Sequence, residues 1–208
     1  MEFIFGTIID WGLNLISEIG YLGITLLMAV ESSFIPFPSE IIIPPAAYLA
    51  QQGEMNIFLV ILAGIIGSLL GALINYFLAY TLGRKVVYSL VDLKIFRFLL
   101  INKEKVVKAE EYFLKYGNFS TLMGRFIPAV RQLISIPAGF SKMNLKNFVF
   151  YTFIGSSIWI IVLAVLGYVF GSNKELIAEY YGYISIFFII LSLVLIIGLI
   201  LKKRIKNE

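Results

Sequence analysis

Neither cysteine nor histidine occurs in the chain. The first absence excludes disulfides, thiolate nucleophiles and thiolate metal sites. The second removes the commonest general base and the commonest transition-metal ligand. Any chemistry must therefore fall to carboxylates, Lys, Arg, Tyr and hydroxyls. Charge is also scarce, at 14% of residues against 60% hydrophobic, and the mean hydropathy is +0.91. Those values exclude a soluble domain and place the chain among integral membrane proteins. The length of 208 residues suits a single domain, residues 1–208, and the net charge of +4 reads as membrane topology rather than nucleic-acid binding. Only six prolines are present, yet Pro36, Pro38, Pro44 and Pro45 crowd into ten residues, and Pro128 and Pro137 bracket a second stretch.

What is there reads in order as follows. Residues 1–19 are apolar with Thr7, Asp10, Asn14, Ser17 and Glu18 at helical spacing, as in a helix lying in the membrane interface. Met1-Glu2 offers no positive n-region, so this segment does not read as a signal peptide. Residues 20–53 hold two apolar arms too short to span, around the proline-rich tip from Glu31 to Glu40. Proline forbids a continuous helix there, so the segment is expected to be a re-entrant hairpin. Met55 to Gly83 then gives 29 residues without a charge, long enough to span. Gly64, Gly67, Ser68, Gly71, Asn75 and Ala79 make its small-residue face, suited to a close neighbour in the same chain or to a second copy. Residues 84–116 carry an excess of Lys and Arg and are expected on the cytoplasmic side, partly as an amphipathic helix.

Residues 117–171 repeat the scheme, with a broken segment to Ser141 followed by the charge-free run Asn147 to Asn173. A last span, residues 180–201, ends in Lys202-Lys-Arg-Ile-Lys206, which fixes a cytoplasmic C-terminus. Working backwards, the second hairpin enters from the cytoplasm and the first from the opposite face. An offset of 88 aligns Met55-Asn56 with Met143-Asn144, Gly67-Ser68 with Gly155-Ser156, and Gly83 with Gly171. The expected fold is thus an all-α integral membrane protein, built as an inverted repeat (20–83 and 117–171) of re-entrant hairpin plus transmembrane helix, with an extra C-terminal span. Such repeats carry their binding site at broken helices near mid-membrane.

The charges sit where that architecture would place a site. Gly124-Arg-Phe-Ile-Pro-Ala-Val-Arg131 holds two guanidiniums in apolar sequence, and an intramembrane charge is a functional hypothesis by default. If the tips meet, Glu31 and Glu40 face Arg125 and Arg131. A phosphate headgroup could compete with a carboxylate for the same arginine fork, which would couple substrate binding to carboxylate protonation or cation binding. Arg131, shortly after a helix start at Pro128, is expected to be the headgroup ligand, and Arg125, in an unwound segment, the carboxylate partner. The bland alternative is a static Glu–Arg clasp, a use for which buried ion pairs are poorly suited.

The pattern Glu31-x4-Pro36-x-Pro38-x-Glu40, followed by Gly124-Arg-Phe-Ile-Pro128-x2-Arg131-x5-Pro137-Ala-Gly139-x3-Met143, closely resembles the DedA family of bacterial membrane proteins, relatives of VTT-domain lipid scramblases. The resemblance runs from about Gly20 to Gly171. It implies an ion-coupled lipid transporter or flippase of the bacterial cytoplasmic membrane, moving undecaprenyl phosphate or a phospholipid, with no cofactor and no resident metal. It further implies headgroup binding by Arg125 and Arg131, and proton or sodium coupling by Glu31 and Glu40. One departure is Ala72, where many relatives carry Asp. A membrane-embedded lipid phosphatase is the main rival, and the lack of histidine counts against an enzyme. A membrane-shaping scaffold is the other, although a scaffold has no need of buried charge.

Overall fold

The computed structural model describes residues 2–33, 39–91 and 116–170, with isolated positions elsewhere. The expected C-terminal span 180–201, most of the amphipathic region 84–116 and the middle of the first tip lie outside the described residues. Among those described, every regular element is helical: α1 (Glu2–Glu31), a 3₁₀ turn (Ser39–Ile41), α2 (Ile43–Gln51), α3 (Ile57–Val91), α4 (Phe119–Phe126), α5 (Pro128–Arg131), α6 (Ser135–Phe140) and α7 (Leu145–Phe170).

Local sequence explains the breaks. Helices α1 and α3 bend at Gly20 (φ 66°) and Gly83 (φ 71°), in a left-handed region that suits residues without a Cβ. Helix α2 carries proline in its first turn, where the missing N–H leaves no bond unmade. Pro128 opens α5 in the same way. The residue before it, Ile127, is forced into extended backbone (φ −102°, ψ 111°), which separates α4 from α5.

Two helices, Ile57–Gly83 and Leu145–Val169, are long and apolar enough to cross a membrane. Only 39% and 44% of their most apolar windows are buried within the chain, unlike the core helix of a soluble protein. The polarity of α3 is inverted for water. Phe58, Leu62, Ile66, Leu70 and Ile74 form an exposed stripe at four-residue spacing, whereas Ser68 and Asn75 point inward and are buried.

The packing crosses between the two expected repeats in a reciprocal way: α3 lies against α1 and α6, and α7 lies against α4 and α2. Gly67 and Gly71 both face α1, where a Cβ would collide with the Thr25 and Ala29 carbonyls, so the small-residue face is filled within the chain. Ser68 and Ser156, the residues matched by the 88-residue offset, touch directly: Ser68 Oγ donates to Ser156 Oγ at 3.0 Å. One apolar cluster surrounds Ile24, Met28, Ile43, Val60, Ile160 and Leu163. A second joins Ala72, Tyr76, Ile134, Ala138 and Phe148, with the Tyr76 and Phe148 rings stacked at 4.6 Å.

Candidate functional site

All four charged residues singled out from sequence are buried, and they come from four different breaks in helix. Glu31 ends α1, Glu40 sits in the 3₁₀ turn before α2, Arg125 occupies the last turn of α4, and Arg131 ends α5. Their exposures are 3%, 7%, 4% and 7%. Charged side chains are almost never buried so completely without partners.

Arg131 joins both carboxylates. Its Nη2 lies 2.8 Å from Glu31 Oε1 as a charge contact and donates at longer range, 3.5 Å, to Glu40 Oε1. Its guanidinium carbon also stands 5.4 Å from the Trp159 ring centroid, within cation–π range. Trp159 Nε1 donates to Ser39 Oγ at 3.3 Å, and Ser39 Oγ donates to Glu40 Oε1 at 3.4 Å. Ser32 Oγ donates to Glu31 Oε2 at 2.8 Å and lies 2.9 Å from Ser68 Oγ, so a run of hydroxyls links Glu31 to Ser156 at the interface of the two spans.

Arg125 is placed differently. Its Nη2 donates to Ser135 Oγ at 3.1 Å, while its Nε has no partner and no described carboxylate pairs with it. Beside it is a cavity of about 10 Å³, the room one water needs. Glu31, Ser32, Ser68, Arg125, Arg131 and Ser156 all line that cavity.

Glu31, Glu40 and Arg131 therefore come together with Arg125 nearby, but the two arginines exchange the surroundings expected of them. Gly124-Arg125-Phe126 is helical rather than unwound, because Pro128 constrains the residue directly before it, Ile127, and nothing earlier. Arg131 closes a single turn of helix rather than opening one, so no helix N-terminus aids it. It is Arg131, not Arg125, that pairs with the carboxylates. Sequence reasoning also missed Ser32, Ser39, Ser135 and Trp159. Ser68 and Ser156 stand in the sequence as repeat markers and Asn75 as a small-face residue. For Ser68 and Ser156 the offset of 88 is the signal in the sequence that links them.

The VTT domain matches residues 37–169 of this chain. A protein of Escherichia coli K12 named Protein DedA is 26% identical over 143 residues, covering 69% of this chain and 63% of that protein. This chain belongs to the DedA family. As a DedA-family protein it is a membrane protein, in keeping with its two apolar helices. A Lactococcus lactis subsp. cremoris relative named "Alkaline phosphatase-like protein" is 40% identical over 195 residues, covering 92% of this chain and 91% of that one. The Bacillus subtilis protein named "Undecaprenyl phosphate transporter A" is 32% identical over 200 residues, 96% of each chain. No solved structure matches.

Proposed function

We propose that this DedA-family chain is an ion-coupled lipid transporter of the bacterial cytoplasmic membrane, moving undecaprenyl phosphate or another phosphate-bearing lipid between leaflets. The observation that carries this reading is Arg125, a buried guanidinium that among the described residues is held by one serine hydroxyl and contacts no carboxylate, beside a second arginine that contacts two. A guanidinium in that state is incomplete without an anion, and its planar fork suits phosphate oxygens. Phosphate bound at Arg125 would draw on Arg131 as well, which shares the cavity.

Electroneutrality then supplies the coupling. Glu31, Glu40, Arg125 and Arg131 together carry no net charge when ionised. An entering phosphate leaves the buried site negative unless a proton or a sodium ion arrives on Glu31 or Glu40. The reciprocal packing of the two halves and the Ser68–Ser156 contact support an inverted repeat with re-entrant tips meeting in the membrane. The basic run from Lys202 to Lys206 supports a multi-pass topology with a cytoplasmic C-terminus. The cargo class follows the name of the B. subtilis relative.

Purified protein in liposomes, given labelled undecaprenyl phosphate in one leaflet, tests this. Transfer should exceed that of protein-free vesicles and respond to a pH or sodium gradient. No transfer of any phosphate lipid would sink the proposal. A second reading, a lipid phosphatase, is favoured by the name of the L. lactis relative. It would have to run on Glu31, Glu40 and serine hydroxyls, and phosphate release from a labelled polyprenyl diphosphate in the same vesicles would decide for it.

A further inference from the structure

Asn75 lies on the inward face of α3, 1% exposed, one turn beyond Gly71. Its Nδ2 donates to two backbone carbonyls, that of Ser32 at 3.3 Å and that of Gln132 at 3.3 Å. Ser32 directly follows Glu31 and Gln132 directly follows Arg131, so the two carbonyls belong to the residues next to the two partners of the ion pair. Each also lies just past the end of a helix, α1 and α5, where backbone carbonyls have lost their intrahelical donors.

A primary amide carries two hydrogens on one nitrogen, and here each goes to a different broken helix. The orientation is forced, since turning the amide over would set Oδ1 against two carbonyl oxygens. We propose that Asn75 is the clamp that holds the ends of the two interrupted helices together, and that its release opens the charge cluster to a phosphate-bearing headgroup. The inference rests on the transporter reading above and names a positioning residue for it, one that acts through the tips and need not touch lipid.

The clamp is built to let go. Both bonds are at the long end of the hydrogen-bond range, so separating the tips forfeits little. In the clamped arrangement Oδ1 is a buried acceptor with no partner, a deficit that water entering between the tips would remove. The clamp and the Glu31–Arg131 contact bridge the same two helix ends, so neither can open alone.

The chain has no cysteine of its own, so single thiols report opening without background. Leu133→Cys places a thiol on the second tip at a buried position beside Gln132, and Val60→Cys places one in the distant apolar cluster. Reaction with a water-soluble maleimide is compared with and without Asn75→Leu, which keeps the bulk of the side chain and removes both donors. Labelling of Leu133→Cys should quicken by roughly tenfold, the shift in an opening equilibrium that loss of such bonds gives, while Val60→Cys stays protected. Unchanged labelling of Leu133→Cys overturns the clamp. A matching rise at Val60→Cys also overturns it, because Asn75 would then be an ordinary packing residue. Should Asn75→Leu yield no folded protein, Asn75→Ser, with one donor left, is read by the same two criteria. Labelling requires no lipid. A protein that labels as expected but moves no lipid keeps the clamp and loses the transporter reading.

Discussion

Arg125 and Arg131 are the same residue type, come from neighbouring helices and are buried almost equally, at 4% and 7%. Their direct contacts differ. Arg131 is shared by Glu31 and Glu40 and stands over Trp159, whereas Arg125, among the described residues, donates to the Ser135 hydroxyl and contacts no carboxylate directly. Burial by itself therefore says little about what a charge is for. A neutralised guanidinium ties elements together, and one left short of negative charge is a place for an anion. The break at Ile127 makes the difference, because it turns α5 away from the line of α4 and sends the two side chains to different partners.

The same substitution at both positions tests that contrast most severely. Arg131→Met strands two buried carboxylates and should destabilise the protein by about 3–5 kcal/mol, the loss that follows removal of one partner from a buried ion pair. Thermal unfolding in detergent, or failure to accumulate in membranes, would show it. Arg125→Met removes a guanidinium that makes no direct ion pair among the described residues, so the unfolding temperature should fall much less than in Arg131→Met. Lipid transfer should nevertheless fall on the order of 100-fold, as expected for loss of a charge-assisted, bidentate anion contact. Equal destabilisation by both substitutions would erase the contrast.

Much of this was legible in the sequence. The charge-free runs mark α3 and α7, and the crowded prolines mark the breaks, because helix length and proline's missing N–H act locally. The meeting of Glu31 with the arginine segment was readable too, since buried charges of opposite sign have few other ways to be satisfied. Which arginine takes the carboxylates was not. It depends on whether the helix unwinds before or after Arg125, a matter of one turn that the Gly124-Arg-Phe sequence leaves open and Pro128 decides only at Ile127. Trp159 was invisible for another reason. Its contact with Arg131 spans 28 positions and exists only once α7 has packed against the tips.

The two carboxylates allow a finer comparison. Glu31 is the nearer to Arg131, at 2.8 Å against 3.5 Å, and also accepts from Ser32. Glu31→Gln should therefore cost about 1.5–3 kcal/mol of stability, the worth of a hydrogen bond to a charged group, and Glu40→Gln less. Each amide stands in for a protonated acid. Exchange of lipid down its gradient should persist in both variants, while accumulation driven by a pH or sodium gradient is lost in whichever one carries the coupling ion. Gradient-driven accumulation in both would remove the carboxylates from the coupling mechanism.

The smallest effect is expected at Trp159, and it bears on what keeps Arg131 away from Arg125's role. The indole does two things at once: its face meets the guanidinium at 5.4 Å, and its Nε1 donates to Ser39, whose hydroxyl in turn donates to Glu40. Trp159→Phe keeps an aromatic face, though a weaker one, and removes the donor. The expected loss is about 1 kcal/mol, within the range of a single neutral hydrogen bond plus a modest change in cation–π attraction. Ser39→Ala breaks the same relay from its other end without touching the ring. If the relay is what matters, the two single variants and the double variant should lose nearly the same stability, because both remove one shared connection. If the ring face matters independently, the losses should add, and Arg131 would owe its position to Trp159 as well as to the carboxylates.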